Sequence, residues 1–270
     1  MSIKGLKKTI AFLLVFLRLS RIDSCILTSL TVFLPIFYHT NSLRIGISEA
    51  IPILPIMMCG FVANDINDIE KDSVNHPNRP LPSKEVSVIV AVVLYFVLLS
   101  ISLILIKTNI QGILIIHYIV FLIGIINYNY IVEYFPWIKN FYVATIGIAP
   151  ILIAIESSGL SIVYYCLAIS FALFILGREI LMDVHDAEGD SDSLALRFGK
   201  QKSIRLAFVI QSIGLAILIP LCSNVQKACL LGILILVTII FVKMWKEESY
   251  QHSIIMTMKL QMFLGLFFLT

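Results

Sequence analysis

Long runs of Leu, Ile, Val and Phe alternate along this chain with short breaks carrying Pro, Asn and charged residues, such as "HTNSLR", "KTNIQ" and "LCSNVQK". A helix needs about 20 mostly apolar residues to cross a bilayer. Nine stretches meet that length, at about 19–39, 44–63, 86–106, 111–130, 139–157, 160–181, 203–221, 224–243 and 252–270. The pattern predicts an all-α polytopic membrane protein: one transmembrane domain over residues 1–270, with nine membrane helices. The opening "MSIKGLKKTIAFLLVFLRLSRID" has a basic start and a short apolar run. Arg18, Arg21 and Asp23 stand where a leader's small-residue cleavage site would lie, so an interfacial lead-in to the first span is expected.

Composition supports this reading. Hydrophobic residues make up 59% of the chain and charged residues only 14%, too few to cover a water-facing surface. The five cysteines are odd in number and none forms a CxxC pair, so neither a disulfide framework nor a zinc site is expected. The basic residues then orient the spans. Sixteen fall on one side: Lys4, Lys7, Lys8, Arg18, Arg21, Lys71, Arg79, Lys84, Lys139, Arg178, Arg197, Lys200, Lys202, Arg205, Lys243 and Lys246. Arg44, Lys107 and Lys227 fall on the other. The positive-inside rule makes the crowded side, with the N-terminus, cytoplasmic.

Two acidic clusters break the apolar pattern on that same side. Asp65, Asp68 and Asp72 are spaced D-x2-D-x3-D, and Asp183, Asp186 and Asp190 repeat the spacing 118 residues later. On a continuous helix, positions i, i+3 and i+7 lie within about 60° of one face. Each cluster therefore predicts a stripe of three carboxylates at the end of a span, with Asn64 beside the first and Glu179 beside the second. Asp72 and Asp190 would reach furthest toward solvent, and His185 would point away. Like charges at this spacing repel, so a stripe needs a cation. Grouped hard oxygen donors favour Mg²⁺ or Ca²⁺, and Mg²⁺ commonly bridges carboxylates to substrate phosphates. Carboxylates that only solvate two loops would account for the charge but not for its repeated phase.

Asn64-Asp65-x-x-Asp68-x-x-x-Asp72 resembles the NDxxDxxxD motif of the UbiA superfamily of intramembrane prenyltransferases, and "NRPLPS" (78–83) resembles the loop that follows it. "REILMDVHDAEGD" (178–190) is similar to the second motif, in the REIxKDxxDxEGD form of the branches that make archaeal lipids and plant-type quinones. Met182 replaces the usual lysine, and "GDSDSLALRFGK" is shorter than the segment that usually follows.

The resemblance implies an isoprenyl diphosphate as substrate and two or more Mg²⁺ ions, with Mn²⁺ able to substitute. It implies Asn64, Asp65, Asp68, Asp72, Asp183, Asp186 and Asp190 as metal ligands, with Asp65, Asp68, Asp183 and Asp186 central to catalysis. Arg79, Arg21, Lys139 and Arg178, with Asn64, are the expected substrate-binding partners, and Tyr128 is expected near the allylic cation. The resemblance further implies a central cavity among the nine helices and a hydrophobic aromatic or lipid acceptor. The protein is expected in the cell's inner or plasma membrane, with membrane lipid as a partner and the active site opening to the cytoplasm. No nucleic-acid partner is expected. A terpene cyclase of the same superfamily would keep both motifs. A divalent-cation transporter would place its carboxylates nearer the bilayer midplane.

Overall fold

The apolar runs fold as helices because hydrocarbon offers no water to a bare backbone, and a helix bonds its own N–H and C=O groups. The computed structural model describes residues 13–187 and 194–268, and every regular element among them is helical. Helical residues 13–19 lead to α1 (Ile22–Thr40), α2 (Leu43–Ala50), α3 (Ile53–Asn67) and the short α4 (Ile69–Asn75). Next come α5 (Val88–Asn109), α6 (Leu114–Tyr134), α7 (Lys139–Gly147), α8 (Ala149–Ser158) and α9 (Tyr165–His185). The short α10 (Leu194–Phe198), α11 (Lys200–Ile217), α12 (Val225–Met244) and α13 (Glu248–Gly265) complete the order. Residues 1–12 of the expected lead-in lie outside the described segments.

Eight segments among the described residues are long and apolar enough to cross a membrane: Ile22–Thr40, Leu43–Asn67, Val88–Asn109, Leu114–Tyr134, Lys139–Ser158, Ile162–His185, Lys200–Leu221 and Val225–Met244. They coincide with the first eight predicted stretches, displaced by a few residues at their ends. Proline marks two of the joints. Pro52 divides α2 from α3, and Pro150 opens α8, where its missing N–H is harmless. Side-chain caps start two other spans: Ser87 accepts from the Val90 N–H at 3.4 Å, and Asn224 accepts from the Lys227 N–H at 3.0 Å.

The ninth predicted stretch is helical, as α13, but is not among those eight segments. Its polar residues are spent on neighbouring helices. Gln261 donates to Thr238 Oγ1 at 2.9 Å and to the Leu234 carbonyl at 3.2 Å, and accepts from Gln211 at 2.9 Å. Such bonds join helices that hydrophobicity alone cannot hold together in lipid.

The chain divides into two compact units, the first comprising residues up to Leu30 with Ile47–Asn129, the second Thr31–Gly46 with residues from Tyr130 onward. In the first, α3 packs on α5 through Cys59, Val62, Ala91 and Leu98, joined by Leu19 and by Leu81 from the loop after α4. The second is built around α9, which packs on α7, α11 and α13. Ile180, Leu181 and Val184 meet Ala207, Phe208, Trp245 and Met258 toward its C-terminal end, and Phe171 and Phe174 meet Leu218 and Leu234 further back. α9 and α11 approach closely because small residues line their seam. Ser170 Oγ donates to the Gly214 carbonyl at 2.8 Å, and a Cβ on Gly177 would stand 2.9 Å from the Ala207 carbonyl oxygen.

Candidate active site

Both acidic motifs lie where a membrane-crossing helix stops. α3 ends at Asp68, with φ −94° and ψ 16°, and its N–H bonds the Asn64 carbonyl at 2.9 Å. α9 ends at Asp186, with φ −93° and ψ 10°, and its N–H bonds the Met182 carbonyl at 2.8 Å. The repeat in sequence is therefore a repeat in backbone conformation. It also corrects the expectation of a continuous carboxylate stripe: the helix breaks at the second aspartate, and Asp72 belongs to α4 instead. A carboxylate at a helix C-terminus meets the negative end of the dipole, so each motif is electrostatically costly until a cation joins it.

In the first unit the cations are arginines. Arg21 sits in the left-handed region, φ 47°, at the joint before α1, a strained conformation for a residue with a side chain. Its guanidinium pairs with Asp65, which is 2% exposed, and lies 4.9 Å from the centre of the Phe61 ring. Arg79 gives two bonds to Asp72, at 2.7 and 2.6 Å, and stands 3.7 Å from Asp65. The loop carrying Arg79 is anchored by Leu81 in the apolar core and by a bond from the Val86 N–H to the Pro80 carbonyl, 3.1 Å. Asp72 is 3% exposed, so it does not face solvent as its position in the motif suggested; the loop folds back and covers it. Asp68 is half-buried. Burial pushes its carboxyl above the usual range and Asp72 adds to this, against Lys71, a hydrogen bond from Asn64 and Arg79.

In the second unit Lys139, the first residue of α7, places Nζ 2.5 Å from Asp183 Oδ1. Asn140 Nδ2 donates to the other oxygen at 2.8 Å, and Asp183 is 3% exposed. Asn140 Oδ1 is buried and accepts no hydrogen bond from the described residues. Arg178 pairs with its neighbour Glu179. His185 Nδ1 lies 2.9 Å from Asp186 Oδ1, so the ring expected to point away is in contact with a motif aspartate. Sequence reasoning missed Asn140 as well, although an Asn beside a Lys at the start of an apolar span was a visible signal. Tyr128 is half-buried in the last third of α6, and Asp190 lies outside the described residues.

Among the described residues no three His, Cys, Asp or Glu side chains converge as a ready metal cage. The donors nevertheless have the chemistry Mg²⁺ takes: carboxylates, the Asn64 side chain, and an unpartnered amide oxygen on Asn140 beside Asp183. By donor type the residues fit a hard divalent cation.

A profile of the UbiA prenyltransferase family matches residues 25–266. The digeranylgeranylglyceryl phosphate synthase of Methanococcus aeolicus is 29% identical over 216 residues, 74% of this chain and 75% of that protein. Its counterpart in Methanosphaera stadtmanae is 32% identical over 201 residues, 68% and 72% of the two chains. A UbiA homologue from Archaeoglobus fulgidus bound to GPP and Mg²⁺ shares the fold, with a TM-score of 0.68 at 15% identity, over 94% of this chain and 99% of that one. A structure described as concerning digeranylgeranylglyceryl phosphate synthase in membranes does so at 0.69 and 24%, over 95% and 96%. The chain belongs to the UbiA prenyltransferase family. It is an integral membrane enzyme, a prenyltransferase.

Proposed function

We propose that the enzyme transfers an isoprenyl group from an isoprenyl diphosphate to a glyceryl phosphate lipid in a Mg²⁺-dependent reaction. The observation that carries this is the matched pair of helix ends at Asp68 and Asp186, each with a buried aspartate three residues earlier and a cation already on it. Asn64, Asp65, Asp68, Asp72, Asp183, Asp186 and Asp190 hold two or more Mg²⁺ ions, with Mn²⁺ as a substitute. When bound, Mg²⁺ neutralises the diphosphate and makes it a better leaving group. Arg21, Arg79, Lys139 and Arg178 bind diphosphate oxygens, and Tyr128 turns its ring toward the developing allylic cation. The C1–O bond of the prenyl diphosphate breaks, diphosphate leaves with the electron pair, and the acceptor hydroxyl forms the new C–O bond and releases its proton.

The lipid acceptor follows from the relatives, which are named digeranylgeranylglyceryl phosphate synthases. The proposed nine membrane helices lie in the inner or plasma membrane with the active site opening to the cytoplasm, as the basic-residue asymmetry supports. The test supplies Mg²⁺ and labelled geranylgeranyl diphosphate with geranylgeranylglyceryl phosphate, with 4-hydroxybenzoate, or with no acceptor. Label should enter an ether lipid in the first case alone. Transfer only to the aromatic acid would replace the acceptor, and a hydrocarbon or alcohol formed without acceptor would make the enzyme a cyclase. Prenyl diphosphate recovered intact from all three mixtures would refute the reaction.

A further inference from the structure

We infer that Arg21, Arg79 and Lys139 are resident counter-ions of the metal-binding carboxylates, exchanged for Mg²⁺ when diphosphate arrives, so that metal and diphosphate bind as a pair. The inference rests on the proposed function and adds to it a coupling between the two ligands. In the first unit Asp65 is held by Arg21 with Arg79 at 3.7 Å, and both oxygens of Asp72 are held by Arg79. In the second, Asp183 is held by Lys139 and Asn140. All three aspartates are almost fully buried, and a buried carboxylate stripped of its partner is strongly unfavourable. Three of the carboxylates that would bind metal are therefore already neutralised.

Each ligand alone faces an obstacle. Mg²⁺ alone must break a close ion pair on a buried aspartate, with no phosphate to take the displaced cation. Diphosphate alone must draw those cations away and leave bare carboxylates in a buried site. Together they complete the exchange: the phosphate oxygens take the arginine forks and the lysine, and the metal takes the vacated aspartates. Asn140 would keep Asp183 in place meanwhile, and its Oδ1, which has no partner among the described residues, would offer the metal a further oxygen. Coupling of this kind is reciprocal and typically amounts to about 5–150-fold in affinity.

The sign of one substitution is diagnostic. Arg79→Gln should weaken diphosphate binding yet strengthen metal binding without diphosphate, because it releases Asp72. Arg18→Gln, which removes a positive charge from an exposed pair with Glu85, should change neither. The experiment titrates the purified full-length protein with Mn²⁺ alone, reading free ion by electron paramagnetic resonance. R79Q, or R21Q if R79Q does not fold, should bind about tenfold tighter than the wild type. Equal or weaker binding would overturn the exchange and leave ordinary structural ion pairs. The wild type gives an independent reading: melting shifts with Mg²⁺ alone and with geranylgeranyl thiodiphosphate in EDTA should sum to less than the shift with both. Additive shifts would also overturn it. No shift even with both present would instead sink the proposed function.

Discussion

Three glycines of the second unit test whether the close seam between α9 and α11 sets the position of the second motif. At Gly177 an added Cβ would lie 2.9 Å from the Ala207 carbonyl oxygen, and at Gly147 it would lie 2.5 Å from Ile175 Cδ1. At Gly232 it would meet nothing within 4 Å. Replacing a helical Gly by Ala gains about 0.5–1 kcal/mol from reduced backbone freedom, and Gly232→Ala should show that gain undiminished. Gly147→Ala meets only the tip of a flexible side chain. Turning Ile175 off its rotamer costs about 0.5–1.5 kcal/mol, so the net should be close to zero. Gly177→Ala meets backbone, which moves only if α9 separates from α11. Overpacking of that kind costs about 1–3 kcal/mol and outweighs the propensity gain. In one detergent, melting temperatures should rank Gly232→Ala above Gly147→Ala above Gly177→Ala. Asp183 and Asp186 follow Gly177 on the same helix, so Gly177→Ala should also slow transfer while Gly232→Ala leaves it unchanged. A Gly177→Ala protein that melts as high as Gly232→Ala would refute the reasoning.

Asp68→Asn and Asp186→Asn should each lower turnover at least about a hundredfold, the scale of losing one positioned electrostatic group, with folding checked by size-exclusion chromatography. Chelation by EDTA should abolish transfer and added Mg²⁺ or Mn²⁺ restore it; undiminished activity in chelator would remove the metal from the reaction. Asn140→Leu should raise the Mg²⁺ concentration needed for half-maximal activity by about 10–100-fold, as loss of a group orienting a metal ligand typically does. Cysteines introduced at Ser73 and Gln201 should label from the cytoplasmic side and one at Thr108 from the opposite side. Labelling of positions 73 and 201 from different faces would contradict the proposed cytoplasmic orientation of both motifs.

Span positions were legible in the sequence because membrane crossing imposes one simple demand, length of apolar run, and the first eight stretches match the membrane-length helices to within a few residues at their ends. That both acidic motifs lie at the ends of spans was legible as well, because the apolar runs stop there. Their geometry was not. Periodicity treats residues 65–72 as one helix, whereas α3 stops at Asp68 and a separate α4 follows. That break, together with Leu81 docking two residues beyond Arg79, buries Asp72 under its own loop. It is a tertiary contact, invisible to any local pattern. The same limit hid Asn140, whose significance comes from Asp183, 43 residues away. In α13 the polar residues that dilute the apolar pattern include Gln261, and its role depends on Gln211 and Thr238 on other helices.

The central claim is that both aspartate motifs serve one metal-bound prenyl diphosphate, and a density map of the full-length protein with Mg²⁺ and geranylgeranyl thiodiphosphate tests it most directly. The account predicts metal density joining the diphosphate to at least one carboxylate of each motif, Asp65 or Asp68 and Asp183 or Asp186. Arg21, Arg79 and Lys139 should have turned from the aspartates to phosphate oxygens, and the prenyl tail should run among apolar helices. A diphosphate held by one motif alone, with the other still closed on its resident cation, would contradict it.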